Sequence, residues 1–237
     1  MAEGSYNQFC PVAMAAEVLC TRWTMIVLRE LTAGSTRFNE LRRGVPRMSP
    51  ALLSKRLKDL EAAGIVTRAK APGEAGVFEY TLTPAGRELH PLVMGVGQWG
   101  HKWLTSGASL ENLDVNLLMW DMRRNLNTRP MRDKSGPRGR SIIQFIFSDL
   151  APAQRHWWPI VDPREGTDLC SVDPGFDVDL YLTTDLKTMT AVWMGYTTVK
   201  RAKADDRLVT TGNRALAADL QTWLGLSVFA KGDRAVA

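Results

Sequence analysis

The chain has 237 residues, 45% of them apolar, with a net charge of +5. That length suits two domains, the apolar share supports a buried core, and no apolar run approaches the ~20 residues of a membrane-spanning helix. Three cysteines without a CxxC pair and three scattered histidines exclude a disulfide framework and a structural zinc site, and with no basic-then-apolar leader at the start they imply a reduced, cytoplasmic protein.

Charge is unevenly placed. Residues 37–70 carry nine Lys/Arg against three acids, and residues 123–140 carry seven against Asp133 alone. The rest is net acidic, so two local basic patches are more informative than the total.

Residues 11–20 predict a short apolar helix, and 21–32 a second with Thr21 as its N-cap and Gly34 beyond its end. Residues 36–43 predict a third, broken by Gly44 and Pro46. Ser49 caps the fourth, with Pro50 at its first position, where a missing N–H costs nothing, and Gly64 ends it. Residues 65–70 and 77–82 alternate around the turn-rich APGEAG and predict a hairpin. One helix is then expected from Thr83-Pro84 to about Leu104. This order is that of a winged helix-turn-helix.

On a helical wheel the fourth helix places Leu53, Leu57 and Leu60 on one stripe. Ala51, Lys55 and Lys58 lie opposite, with Ser54 to the side and Arg56 beside the stripe, where a structural or phosphate-pairing role comes first. Such a helix fits the DNA major groove: its early residues reach base edges, and Lys and Arg meet phosphates. The candidate DNA-binding set is Arg37, Arg47, Ser49, Pro50, Ala51, Ser54, Lys55, Lys58, Arg68 and Lys70. The bland alternative is a solvated basic face.

After Gly107 the character changes. Residues 110–126 predict a helix, and 127–140 a basic Pro/Gly-rich loop, read either as a linker or as an arm reaching phosphates. SIIQFIFSD, RHWWPIV, TDLCSV and FDVDLYLTT predict strands. The last puts Phe176, Val178, Leu180 and Leu182 on one face. Residues 184–193 predict a helix capped by Thr184, and a further helix carries Leu216, Leu220, Trp223 and Leu224. The fold class is α+β: an N-terminal winged helix, mainly α with a β-hairpin wing, and a C-terminal sheet-and-helix domain. The expected division is 1–106, a connecting helix and basic loop at 107–140, and 141–237.

Cys10-Pro11-Val12, Arg22-Trp23-Thr24, Leu28-Arg29-Glu30-Leu31, Arg37-Phe38-Asn39-Glu40-Leu41, the Ser49–Glu61 run, Gly64-Ile65-Val66 and Tyr80-Thr81-Leu82-Thr83-Pro84-Ala85-Gly86 together resemble the HxlR family of bacterial transcriptional regulators. The resemblance covers about residues 9–104. It implies a homodimer on a pseudo-palindromic double-stranded DNA operator, joined through the first and last helices of the domain. It also makes Cys10 a redox candidate, since a thiol at this Cys-Pro position serves some members as a sensor; packing is the alternative.

The stretch from Phe176 to Ala217, within residues 141–220, resembles the sterol-carrier-protein type 2-like domain. That implies an apolar tunnel holding a hydrophobic or aromatic small-molecule effector. The candidate lining is Trp120, Phe145, Phe147, Trp157, Trp158, Trp193, Met194 and Trp223, which equally suit a plain core. His156 is a donor to a ligand or a structural histidine.

The expected function is a homodimeric, effector-controlled DNA-binding regulator, a repressor, with no metal and no cofactor. Alternatives are redox sensing through Cys10 and carriage of an apolar ligand. Catalysis is not expected: GxSxG, HExxH and P-loop motifs are all missing.

Overall fold

The structure, a computed structural model, describes residues 5–131, 139–162, 164–230, 232 and 234–236. The chain divides into two units, Met1–Gly97 and Gln98–Ala237, each with its own apolar core.

In the first unit, α1 spans Pro11–Leu19 with Cys10 at its N-cap. Thr21 does not cap α2: its hydroxyl donates back to the Glu17 carbonyl at 3.4 Å, and a left-handed turn at Trp23 (φ 78) delays α2 to Thr24–Thr32. Entry to α3, Phe38–Gly44, is held by Glu40, whose Oε2 accepts from the backbone N–H of Thr36 and Arg37 at 3.0 and 3.1 Å. Gly44 does not break α3; it is the last residue of the helix and packs against the buried Glu30.

Helix α4, Pro50–Ala62, begins as expected, with Ser49 Oγ accepting from the Leu52 N–H at 3.3 Å. Leu53, Leu57 and Leu60 are buried together with Val27, Leu28 and Leu41. Gly64, at φ +72, turns the chain into the wing. Strands β1, Val66–Lys70, and β2, Phe78–Leu82, pair antiparallel with Arg68 opposite Tyr80. An isolated bridge joins Arg37 to Glu79, and the Tyr80 N–H donates to the Thr36 carbonyl at 2.8 Å, so the entry to α3 is fastened to β2.

The expected final helix is two: α5, Pro84–Glu88, capped by Thr83, and α6, His90–Trp103. Pro91 has no N–H with which to continue the ladder of α5. Helix, helix, turn, helix and hairpin make this unit a winged helix-turn-helix.

The second unit is α+β. Helix α7 covers Ser106–Glu111 and α8 Val115–Asn125, the latter capped by Asp114 Oδ1, which accepts from the Asn116 and Leu117 N–H at 3.0 and 3.2 Å. A short 3-10 turn follows at Arg129–Met131. Then come β3 Ser141–Phe147, α9 Pro152–Arg155, β4 His156–Asp162, β5 Gly166–Cys170, β6 Leu180–Thr184 and α10 Leu186–Trp193. The unit closes with α11 Val199–Ala204, β7 Leu208–Gly212, α12 Arg214–Ala218 and α13 Leu220–Leu224.

The sheet runs β5-β4-β3-β6-β7, with β3 and β6 parallel and the other pairs antiparallel. Residues 176–179 fall outside β6, because the Asp179 carboxylate accepts from the Ile142 N–H at 2.7 Å, ending the ladder there. Asp185, not Thr184, caps α10, its Oδ1 accepting from the Thr188 N–H at 2.7 Å, while Thr184 is still paired with Phe147 in the sheet. Helix α8, expected in a connecting segment, instead packs Val115, Leu118, Met119 and Met122 into this unit's core.

Candidate nucleic-acid interface

Helix α4 is two-sided by construction. Its leucine stripe is buried, while Ser49, Pro50, Ala51, Lys55 and Lys58 are exposed and Ser54 is half-buried. Burial of the stripe fixes the helix about its own axis, so the small residues and both lysines form one outward face. Arg56 is turned away from that face. Its Nε donates to the Arg22 carbonyl at 3.1 Å and its Nη1 meets Asp59 at 2.7 Å, which ties α4 to the turn before α2. Arg47 is exposed in the link between α3 and α4.

Arg68 and Lys70 are exposed on β1, with the Arg68 guanidinium 3.6 Å from the centre of the Phe78 ring on the facing strand. Arg37 forms a fork with Glu74 at the wing tip, one arm at 3.2 Å, and its Nε lies 3.6 Å from Glu79. Glu74 first, then Glu79 and Glu40, hold the guanidinium's pKa above its usual value. A groove of about 580 Å³ separates α3 from the wing, walled by Phe38, Phe78 and Tyr80 with Arg37, Arg43 and Glu74 at its rim. Arg37 is visible in the sequence as a basic residue before α3, but its pairing with Glu74 and Glu79 is not. Glu74 lies 37 residues away, and nothing in local spacing brings the two together.

Cys10 is half-exposed at the start of α1, and the backbone N–H groups of Ala13 and Val12 lower its thiol pKa. Burial, with Asp168 close by, raises that of Cys170.

In the second unit Phe145, Phe147, Trp157, Trp193 and Trp223 are packed into the core. Phe145 and Phe147 share a face of β3, their ring centres 6.4 Å apart. The indole N–H groups of Trp157, Trp193 and Trp223 donate to Gln154 O, Asp121 Oδ2 and Leu216 O at 2.9, 2.8 and 2.8 Å. Trp158 is buried, its ring 5.9 Å from that of His156, whose Nδ1 pairs with Gln144 Nε2 at 3.1 Å. Trp120 is buried beneath the guanidinium groups of Arg123 and Arg124, and Met194 is half-buried. Of the basic loop, Arg140 lies over the Phe176 ring at 4.3 Å; residues 132–138 lie outside the described residues. Among the described residues there is no cluster of metal-ligating side chains and no single helix long and apolar enough to cross a membrane.

A helix-turn-helix whose second helix presents a basic outer face beside a hairpin wing defines a winged-helix DNA-binding fold. Residues 18–108 match the HxlR-like helix-turn-helix family. The HTH-type transcriptional regulator YvaP of Bacillus subtilis (strain 168) is 34% identical over 99 residues, 41% of this chain and 92% of its own length. YybR of the same organism is 37% identical over 115 residues, 48% of this chain and 90% of its own. A solved structure, the redox regulator HypR in its reduced form, is 36% identical over 38% of this chain and 90% of that one, with a TM-score of 0.36. The chain belongs to the HxlR-like helix-turn-helix family. The relatives it matches are HTH-type transcriptional regulators.

Proposed function

We propose that this protein is a homodimeric, sequence-specific DNA-binding repressor that answers to an apolar small molecule. The observation that carries the DNA-binding part is the outward face of α4, small at Ser49, Pro50 and Ala51 and cationic at Lys55 and Lys58, held in place by a fully buried leucine stripe. Helix α4 enters the major groove, with Ala51 and Ser54 against base edges and Lys55 and Lys58 on phosphates. Arg37, Arg47, Arg68 and Lys70 take flanking phosphates.

Dimerisation falls to the helices bounding the winged-helix region. Support comes from apolar side chains left in solvent: Tyr6, Phe9, Val12 and Met14 on and before α1, and Leu92, Val96, Trp99 and Trp103 along α6. The latter recur at intervals of three and four, which is one helix face. A two-fold dimer then presents two α4 helices to half-sites ~34 Å apart.

In this reading residues 1–106 bind DNA and dimerise, and residues 141–237 form, together with α8, a sterol-carrier-like effector domain. A five-stranded sheet covered by helices supports that assignment. Of the side chains proposed to meet the effector, Phe145, Phe147, Trp157, Trp193 and Trp223 lie within the unit's apolar core, so a ligand must part that core. The effector therefore selects an opened state of this unit, and its preference for that state is what shifts DNA affinity.

The test is a titration of selected duplex with full-length protein and with a Lys55→Ala, Lys58→Ala variant. A uniform loss of affinity with a shallower salt dependence supports the reading; unchanged binding refutes it. Redox control is the second reading, favoured by the depressed pKa of the accessible Cys10 thiol. It requires Cys10→Ser to abolish an oxidant response that an effector-sensing protein would not show.

A further inference from the structure

We infer that Glu74 competes with DNA for Arg37: in the free protein the wing tip holds this guanidinium, and a phosphate must displace Glu74 to reach it. The inference rests on the DNA-binding reading above and names a control built into that same surface.

Arg37 has a fixed base and a partner on the hairpin tip. Its backbone is pinned by the Glu40 carboxylate at 3.1 Å and by the bridge to Glu79, so the side chain always leaves from the entry of α3. Its guanidinium meets both oxygens of Glu74 in a two-pronged fork, with Glu79 behind at 3.6 Å. That fork is the geometry an arginine offers a phosphate, so the two anions exclude each other.

Glu74 sits on the hairpin tip, where Gly73 and Gly76 both adopt φ +77 with nothing within 4 Å of a Cβ added to either. Open space beside both glycines and the groove between α3 and β2 leave the tip room to swing. Both side chains of the pair are close to half-exposed, at 42% and 45%, so a phosphate can approach without unfolding anything. Arg68 and Lys70 on β1 carry no such clamp from Glu74, which makes Arg37 the cation whose availability to a phosphate depends on where the tip stands.

With the fork closed, the binding-competent form is only part of the population, and apparent affinity falls by that fraction. Breaking the fork by mutation should return it.

The test is a double-mutant cycle on DNA affinity by fluorescence anisotropy, using full-length protein and a duplex recovered by selection, from 50 to 200 mM salt. Glu74→Gln should tighten binding about two- to five-fold, the range an exposed ion pair commands. Arg37→Ala should weaken binding and lower the log–log salt slope by about 0.9, the loss of one phosphate contact. In the Arg37→Ala background, Glu74→Gln should change affinity by no more than about 1.5-fold. An equal gain in both backgrounds means that Glu74 only repels phosphate at a distance, and overturns the inference. So does unchanged affinity in Glu74→Gln or in Arg37→Ala. Wild-type protein that selects no sequence ends the DNA-binding reading itself, a result separable from the others because it needs no variant.

Discussion

Replacing Gly44 by alanine should destabilise the N-terminal unit, although glycine-to-alanine changes within a helix usually stabilise by about 0.5–1 kcal/mol. A Cβ at this position would lie 1.9 Å from Glu30 Cδ and 2.0 Å from Glu30 Oε2. Glu30 is fully buried and cannot swing into solvent. Its Oε1 is held by Arg29 Nη2 and Nε at 2.9 and 3.2 Å, Ser35 Oγ donates to its Oε2 at 3.4 Å, and Arg29 also donates to the Gly44 carbonyl at 2.7 Å. To reach ordinary contact at 3.4 Å the carboxylate must retreat by about 1.5 Å, which breaks the geometry of this charge cluster. Overpacking and a strained buried ion pair together cost about 2–4 kcal/mol. For a unit of this size that lowers its melting temperature by roughly 10–25 °C. Differential scanning calorimetry of the full-length chain measures it. The cause is checked in a Glu30→Ala background, where the same change should cost less than about 1 kcal/mol. A Gly44→Ala protein melting within about 2 °C of wild type would refute the reasoning.

Thr83 both caps α5, accepting from the Gly86 N–H at 3.1 Å, and donates to the Gly64 carbonyl at 2.7 Å, so Thr83→Ala should cost about 1–2 kcal/mol in the same calorimetric assay. Lys55→Ala and Lys58→Ala should each lower the log–log salt slope of DNA binding by about 0.9, with no change in which sequence is preferred. Cys10, whose pKa is lowered by backbone N–H groups, should hold more thiolate at neutral pH than Cys170, whose pKa is raised by burial. Timed alkylation with peptide mapping should therefore label Cys10 ahead of Cys170, and the gap should narrow as pH rises through the higher pKa.

What could be read before the structure was the part governed by period and by end signals. The leucine stripe of α4, the Ser49-Pro50 start and the turn at Gly64 are local rules, and each element stands where those rules put it. Local rules failed where a longer-range partner claimed a residue. Thr21 looked like a cap, yet its hydroxyl serves the preceding helix. Gly44 looked like a breaker, yet its bare Cα makes room for a glutamate fourteen residues earlier. Alternation from Phe176 onward looked like one long strand, yet the Asp179 side chain takes the ladder bond that would extend it. The short polar strand β7 has one buried apolar residue, Leu208, too little alternation to announce itself. The DNA-facing lysines could be named from a helical wheel, whereas the Arg37–Glu74 fork arises only when the wing folds back beside α3.

The central claim is that α4 reads sequence in a two-fold arrangement. It is tested most directly by presenting the full-length protein with a pool of random duplexes at near-physiological salt and sequencing what is retained. The account predicts an enriched two-fold-related motif with half-sites one helical turn apart. Salt-sensitive retention with no enriched sequence would contradict it, because a basic surface without base contacts binds all duplexes alike.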